Sequence, residues 1–122
     1  ISREPRVVCD TGHNTHAFEL LVQQALAECE GKLHWVLGTA NDKDSQGILS
    51  LLPKNSSFYW TSCSSPRGKD SRVLAKEAEE LGLRGMSFAS VMLALEAAKS
   101  NAAAEDLIFV GGSTFVVADL KL

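Results

Sequence analysis

The sequence of 122 residues predicts an α/β fold, a doubly wound and mainly parallel sheet with helices on both faces. Strand-like and helical patterns alternate from end to end, and the helical patterns are long enough to cross between parallel strands. Right-handed crossovers then place helices on both faces of the sheet. The chain shows no internal repeat, low-complexity tract or linker, so residues 1–122 are predicted to form one domain.

Short apolar runs predict four strands, at residues 6–9, 33–37, 58–61 and 107–110. The run at 6–9 is interpreted as buried. Helical spacing predicts one helix face made of Phe18, Leu21, Val22, Ala25, Leu26 and Cys29. Asn14 or Thr15 is expected to cap this helix and Gly31 to end it. Further helices are predicted at residues 46–52, 71–81 and 91–99, with Phe88 near a short strand or the start of the last of these.

Composition excludes several classes of protein. A net charge of −3 offers no general attraction to nucleic acid or to anionic membranes. No apolar run approaches the roughly 18 residues of a membrane span, and nothing at the start resembles a signal peptide. The three cysteines, Cys9, Cys29 and Cys63, are odd in number and far apart. They are expected to be buried or half-buried thiols in a reducing cytoplasm, with no disulfide or metal site.

Polar segments follow each predicted strand, at residues 10–14, 38–44, 63–70 and 111–114. In an open parallel sheet, ligands bind beyond the carboxyl ends of the strands. We therefore expect these four segments, named here the ligand rim, to lie at one edge of the sheet. Their carboxylate, imidazole, ammonium and guanidinium groups suit a polar, charged ligand.

Single residues of the ligand rim allow more than one interpretation. Asp10 can accept hydrogen bonds from ribose hydroxyls or from its own turn. His13 can cap a helix, bond to a carboxylate ligand or act as a base. Lys43, between two aspartates, is either a solvated charge or a cation held for an anion. His16 and His34 have weaker cases for a functional role.

Phosphate recognition is only partly provided for. The turn at 111–114, GGST, can present N–H groups and the Ser113 hydroxyl to an anion, or simply cap a helix. Arg67 and Lys69 in SPRGK can contact phosphate, but the patterns GxxxxGK[ST] and GxGxxG are both absent. Another domain is expected to supply the phosphate site.

Four segments together carry a family resemblance. VVCDTGHNTHAFELL resembles the D-x-x-H-N-P turn and following helix in the C-terminal domain of the folylpolyglutamate synthase/dihydrofolate synthase family, of the Mur ligase superfamily. WVLGTANDKDSQGIL, SSPRG and DLIFVGGSTFVVADL resemble its G-x-x-x-D-K-D, P-R-[AG] and G-S segments, in the same order. Thr15 replaces the family proline, and Gly112 and Thr114 replace the commoner neighbours of Ser113.

The resemblance implies a Rossmann-like domain of an enzyme that joins L-glutamate to a pteroate or folate carboxylate through an acyl phosphate. It implies that Asp10 binds ATP and that the glutamate-binding residues are His13, Lys43 and Ser113. Asn14 and Arg67 would support the site. No catalytic residue or metal ligand is expected in this chain.

The same resemblance implies that residues 1–122 are an excised C-terminal domain. ATP and Mg²⁺ would bind mainly to a preceding domain that the chain lacks, and the fragment alone would be inactive. The expected partners are small molecules, namely ATP, L-glutamate and pteroate or folate. The full-length enzyme is expected to be a cytoplasmic monomer.

Two alternatives remain at this stage. The first is the C-terminal domain of a Mur-type ligase that adds an amino acid to a peptidoglycan precursor. The second is a stand-alone receiver-like signalling module. A receiver needs an acidic pair after the first strand and a phosphoacceptor aspartate after the third. Here only Asp10 follows the first strand, and Cys63-Ser64-Ser65 follows the third.

Overall fold

The protein is described from a computed structural model, which covers residues 6–9, 15–29, 31–39, 45–62 and 69–111. The elements in chain order are β1 (Arg6–Cys9), α1 (Thr15–Glu28), β2 (Leu33–Leu37), α2 (Ser45–Leu49), β3 (Ser57–Thr61), α3 (Ser71–Glu80), β4 (Gly85–Phe88), α4 (Val91–Asn101) and β5 (Leu107–Gly111). Strands and helices alternate as predicted. The apolar sequence at residues 115–122 lies outside the described residues.

The five strands form one sheet in the order β1-β5-β2-β3-β4, and every neighbouring pair is parallel. The chain therefore runs from β1 through α1 to β2. These two strands are not neighbours in the sheet, because β5 lies between them. Helices cover both faces, so the predicted doubly wound α/β fold is confirmed.

The two faces of the sheet have separate cores. Alternate side chains of β2 point to opposite faces, so Trp35 packs with α1, α2 and α3, whereas Val36 packs with α4. Phe18 of α1 lies 5.9 Å from the ring of Phe109 in an edge-to-face contact. Full burial of each such side chain stabilises the fold by roughly 1.5–3 kcal/mol.

Sequence-predicted boundaries differ from the observed ones where local pattern does not decide. The second helix ends at Leu49, three residues before the predicted end. Leu51 and Leu52 instead donate backbone hydrogen bonds to the carbonyls three residues earlier, which tightens the chain before Pro53. The last described helix continues to Asn101, two residues beyond the prediction, and β5 includes Gly111.

Two expectations about burial were wrong. Strand β1 pairs only with β5 among the described strands, so Val7 and Val8 are half-buried rather than buried, and Cys9 is exposed. Leu26, placed on the buried face of α1 by its spacing, is 52% exposed. The neighbouring elements cover a narrower stripe of α1 than the apolar pattern spans.

Helix α3 begins at Ser71 as the sequence predicts and ends at Glu80, one residue before the predicted end. The Asp70 carboxylate accepts a hydrogen bond of 2.8 Å from the backbone N–H of Arg72, which caps the helix. Gly82 follows with φ of +84°, a left-handed conformation that glycine adopts without strain and that ends the helix.

Asp106, directly before β5, joins three segments at the amino-terminal edge of the sheet. Its carboxylate accepts hydrogen bonds from the backbone N–H groups of Lys32 (2.8 Å) and Ala103 (2.9 Å). The His34 ring nitrogen Nε2 lies 2.8 Å from the same carboxylate, and both side chains are buried. We call these four residues the Asp106 junction. It fixes the connections before β2 and β5 to each other.

Burial and hydrogen bonding have opposite effects on the pKa of Asp106. Burial alone raises the pKa of this carboxyl, but the hydrogen bonds from Lys32, Ala103 and His34 together outweigh burial and hold the pKa below its usual value. Gly31 is also required by this junction, since an added Cβ would strike the Asp106 carboxylate.

Asp106→Ala is expected to lower the free energy of unfolding by about 2–4 kcal/mol, because it leaves two part-buried backbone N–H groups and the buried His34 ring without their acceptor. Urea denaturation of the 122-residue chain measures this. The matched control is Glu105→Ala, which removes an exposed neighbouring carboxylate and should change stability by less than about 0.5 kcal/mol. Equal effects of the two substitutions would contradict the role given to Asp106.

The pH dependence follows from the lowered pKa. Because the folded-state pKa lies below the unfolded value of about 3.9, the contribution of Asp106 is present above that pH and is lost as the pH falls through the folded-state pKa. The stability difference between wild type and Asp106→Ala should therefore shrink as the pH falls below about 4.

Candidate functional site

The carboxyl ends of all described strands lie at one edge of the sheet. The pairing registers place Cys9 beside Val110, Leu37 beside Gly111 and Thr61 beside Phe88. Segments 10–14 and 112–114 therefore continue from adjacent strands. The described strand ends satisfy the geometric condition for the predicted ligand rim.

The predicted site residues themselves lie outside the described residues. These are Asp10, His13, Asn14, Lys43, Arg67 and Ser113. The chain reaches them from Cys9, Thr39, Ser62 and Gly111, which stand at or next to the carboxyl ends of four strands. Their assignment as ATP-binding, glutamate-binding and supporting residues remains a prediction.

Buried polar groups lie beneath this edge, and hydrogen bonds tie its connections together. The backbone N–H of Lys69 donates to the carbonyl of Thr39 (2.8 Å), and the N–H of Ser71 donates to the hydroxyl of Ser62 (2.8 Å). Thr39, Lys69 and Ser71 are all buried. The stretch that follows β3 is thus anchored at one end to the stretch that follows β2.

Lys69 has a different environment from the one suggested by the sequence. Its ammonium lies 2.7 Å from the Glu77 carboxylate of α3, and the residue is only 9% exposed. Lys69 and Glu77 therefore form an ion pair that joins the residue two positions before α3 to the body of that helix. A phosphate contact of Lys69 stays a prediction.

Sequence reasoning did not identify this set of supporting residues. Thr39 and Ser62 stand one or two residues after a strand, and a polar residue in that position is a signal that could have marked them. Lys69 and Glu77 are eight residues apart in the sequence, and the N-cap of α3, Asp70, lies between them. Local pattern gives no indication of such a pair.

The structure also bears on the two other histidines, His16 and His34. His34 belongs to the Asp106 junction at the opposite edge of the sheet, with Nδ1 3.1 Å from the Tyr59 hydroxyl, so it is far from the ligand rim in the fold. The side chain of His16 lies outside the described residues. Within the ranges that the structure covers, no three histidine, cysteine or acidic side chains form a group able to hold a metal ion.

Two further properties bear on the class of protein. Partial burial raises the pKa of the Cys9 thiol at the end of β1, so this exposed cysteine has no enhanced thiolate character. Among the helices of the described ranges, none has both the length and the apolar character needed to cross a bilayer.

A family model described as "Mur ligase, glutamate ligase domain" matches residues 1–114. The chain belongs to this family. The receiver-like interpretation is therefore not favoured. The parallel sheet with helices on both faces agrees with the Rossmann-like C-terminal domain of the solved relatives.

Curated relatives of the chain are folate enzymes. It is 39% identical over 121 residues to dihydrofolate synthase/folylpolyglutamate synthase of Escherichia coli, covering 97% of this chain and 28% of the relative. It is 33% identical over 120 residues to a probable bifunctional folylpolyglutamate synthase/dihydropteroate synthase of Haloferax volcanii, covering 97% of this chain and 14% of the relative. The chain thus spans about a quarter or less of these proteins.

Solved structures give the same picture. E. coli FolC in complex with DHPP and ADP matches with a TM-score of 0.84 and 36% identity, over 97% of this chain and 28% of that one. A bifunctional folylpolyglutamate synthase/dihydrofolate synthase with Mn, AMPPNP and L-glutamate bound matches with a TM-score of 0.79 and 28% identity, over 97% of this chain and 29% of that one.

Breaking the Lys69–Glu77 pair should destabilise the fold. We expect Glu77→Gln to lower the free energy of unfolding by about 1–2 kcal/mol, because it leaves the Lys69 ammonium largely buried beside a neutral group. Lys69→Met should cost a similar amount, and the double variant less than the two added together. Glu80→Gln, on the exposed side of α3, is the matched control in the same urea titration. Strict additivity of the two single changes would show that the pair does not interact.

Proposed function

We propose that the chain is the C-terminal domain of an ATP-dependent ligase that adds L-glutamate to dihydropteroate or folate. The proposal is supported chiefly by the 39% identity to dihydrofolate synthase/folylpolyglutamate synthase along 97% of this chain. Relatives of this kind favour the folate branch over a Mur-type ligase acting on a peptidoglycan precursor. The substrates are small molecules, namely ATP, L-glutamate and the pteroate or folate.

The reaction divides into two steps. The substrate carboxylate attacks the terminal phosphorus of ATP, ADP leaves, and an acyl phosphate forms. The glutamate amine then attacks the acyl carbon, the C–N bond forms, inorganic phosphate leaves with the C–O electron pair, and the amine loses a proton. Holding the amine against the activated carbon converts the second step into an intramolecular one.

The ligand rim suits the positioning part of this chemistry. Asp10, directly after β1, would accept hydrogen bonds from the ATP ribose or its neighbourhood. His13, Lys43 and Ser113 would hold the two carboxylates of glutamate through charge-assisted hydrogen bonds. Asn14 would shape the first turn and Arg67 would support the site. Support for bringing these groups together comes from the adjacent ends of β1, β5 and β2.

The chain itself carries only part of the machinery. The sequence has no phosphate loop, and no metal-binding cluster occurs within the described ranges. We propose that a preceding domain of the same enzyme binds the ATP phosphates and Mg²⁺. The bound Mg²⁺ would withdraw electron density from the phosphoryl group that is transferred. In this proposal residues 1–122 are a single C-terminal domain, and the full-length enzyme is a cytoplasmic monomer.

The site assignments are tested by steady-state kinetics of the full-length enzyme. His13→Ala and Ser113→Ala should each raise KM for glutamate roughly tenfold or more, since each removes a hydrogen bond to a carboxylate, and leave KM for ATP nearly unchanged. Asp10→Asn should raise KM for ATP instead. The opposite pattern would contradict the roles assigned here.

The purified 122-residue chain should show no ligase turnover, because the proposed phosphate-binding and Mg²⁺-binding domain is not part of it. Measurable turnover would contradict this assignment of functions to the two domains.

A further inference from the structure

A groove with a cavity of about 570 Å³ lies between helix α3 and strand β4. We name it the α3–β4 groove, and the lining residues that matter for its chemistry are Arg72, Ala75, Lys76, Glu79, Arg84 and Ser87. β4 pairs only with β3 among the described strands. The groove therefore lies at an open edge of the sheet, where Met86 is 66% exposed.

The groove runs from the ligand rim to the opposite edge of the sheet. At one end of the groove, Ser87 lies one residue before the carboxyl end of β4. Arg72 lies at the same end, because the preceding residue, Ser71, donates a backbone hydrogen bond to the Ser62 hydroxyl next to the ligand rim. At the other end, Arg84 directly precedes β4. A chain leaving the ligand rim on this side can follow the groove along the whole length of β4.

The groove concentrates positive charge in an acidic protein. The chain has a net charge of −3, yet three of its 12 lysines and arginines line the groove. Among the described lining residues, Glu79 is the one acidic side chain. Arg72 is partly balanced by Asp70, at 3.3 Å. Within the part of the chain that the structure describes, the side chains of Lys76 and Arg84 have neither a hydrogen bond nor an ion pair.

A fourth cation, Lys54, lies beside the turn that precedes β4, outside the described lining of the groove. The Lys54 ammonium lies close to Gly82, where an added Cβ would be 3.5 Å from Nζ. Gly82 comes two residues before Arg84 in the sequence, so Lys54 adds a positive charge near the segment that enters β4. Such a cleft attracts an anionic ligand whose charges are spread along its length rather than gathered at one point.

We propose that the α3–β4 groove binds the oligo-γ-glutamyl tail of an elongated folate, an inference that depends on the proposed function. Arg72 and Lys76 are four residues apart on one helix face, which is about 6 Å along the axis. A γ-linked glutamyl unit adds five backbone bonds, roughly 6 Å when extended. Free α-carboxylates therefore recur along the tail at the spacing of these cations. Ala75, between them, offers an apolar contact to the methylene groups.

The proposal also gives the groove a place in the reaction. Each ligation lengthens the tail at the ligand rim, where the new amide bond forms. A basic groove opening at that point can hold part of a long tail and leave the reacting end at the site. It therefore affects long substrates and leaves monoglutamylated ones unaffected.

Binding is tested by isothermal titration of the 122-residue chain with tri-γ-glutamate at low salt. We expect tighter binding than for free glutamate and loss of affinity as salt increases. The double variant Lys76→Glu/Arg84→Glu should bind at least about fivefold more weakly, since exposed charge pairs contribute little singly but add along a chain. Lys99→Glu, exposed on α4 at the other face of the sheet, is the matched control and should bind like wild type.

Three results of this titration would overturn the inference. The first is equal affinity of the charge-reversed and wild-type chains, with circular dichroism showing both folded. The second is binding of tri-γ-glutamate no tighter than that of glutamate. The third is equal or tighter binding of α-linked triglutamate, which would indicate an acidic protein segment as the occupant.

Kinetics of the full-length enzyme separate this inference from the proposed function. The double variant should raise KM for a tetraglutamylated folate at least about fivefold and leave KM for the monoglutamylated folate and for ATP unchanged. If wild type ligates glutamate and the variant has unchanged constants for both folates, the groove assignment is wrong and the proposed function stands. If wild type ligates glutamate to no pteroate or folate, the proposed function itself is wrong.

Discussion

The fold depends on one constraint, the parallel pairing of all five strands. Because β5 enters the sheet between β1 and β2, the first and last described strands become neighbours, with Cys9 beside Val110. Parallel strands end at the same edge, so the segments that leave them are brought together although they are about 100 residues apart in the sequence. A ligand-binding edge follows from the topology before any side chain is considered.

The two edges of the sheet have different polar structures. At the amino-terminal edge, both oxygens of the Asp106 carboxylate take part in hydrogen bonds within the fold, with two backbone N–H groups and a histidine ring. At the carboxyl edge, Lys69 and Glu77 form a largely buried ion pair beside the connections that carry the predicted site. Both arrangements hold connections in place rather than offering groups to a ligand. We infer that binding chemistry rests on the residues beyond these anchors.

Local pattern was sufficient for some elements and insufficient for others. The strand at residues 33–37 was predicted with its observed bounds, because five apolar or aromatic residues lie between clear breaks. Leu26 was misplaced, because periodicity identifies a helix face but not how much of it the neighbours cover. The contact of His34 with Asp106 spans 72 residues and had no local signal. The identities of the six site residues came from the family resemblance, and their roles remain predictions.

The central claim, that glutamate and nucleotide bind at the carboxyl edge of the sheet, is tested most directly by amide chemical-shift mapping. The ¹⁵N-labelled chain is titrated with L-glutamate and with ATP. We expect shifts that begin at the strand ends, at Thr39, Ser62 and Gly111, and leave the amides of Lys32 and Ala103 at the opposite edge unchanged. Shifts centred on Lys32 and Ala103, with Thr39, Ser62 and Gly111 unaffected, would contradict it.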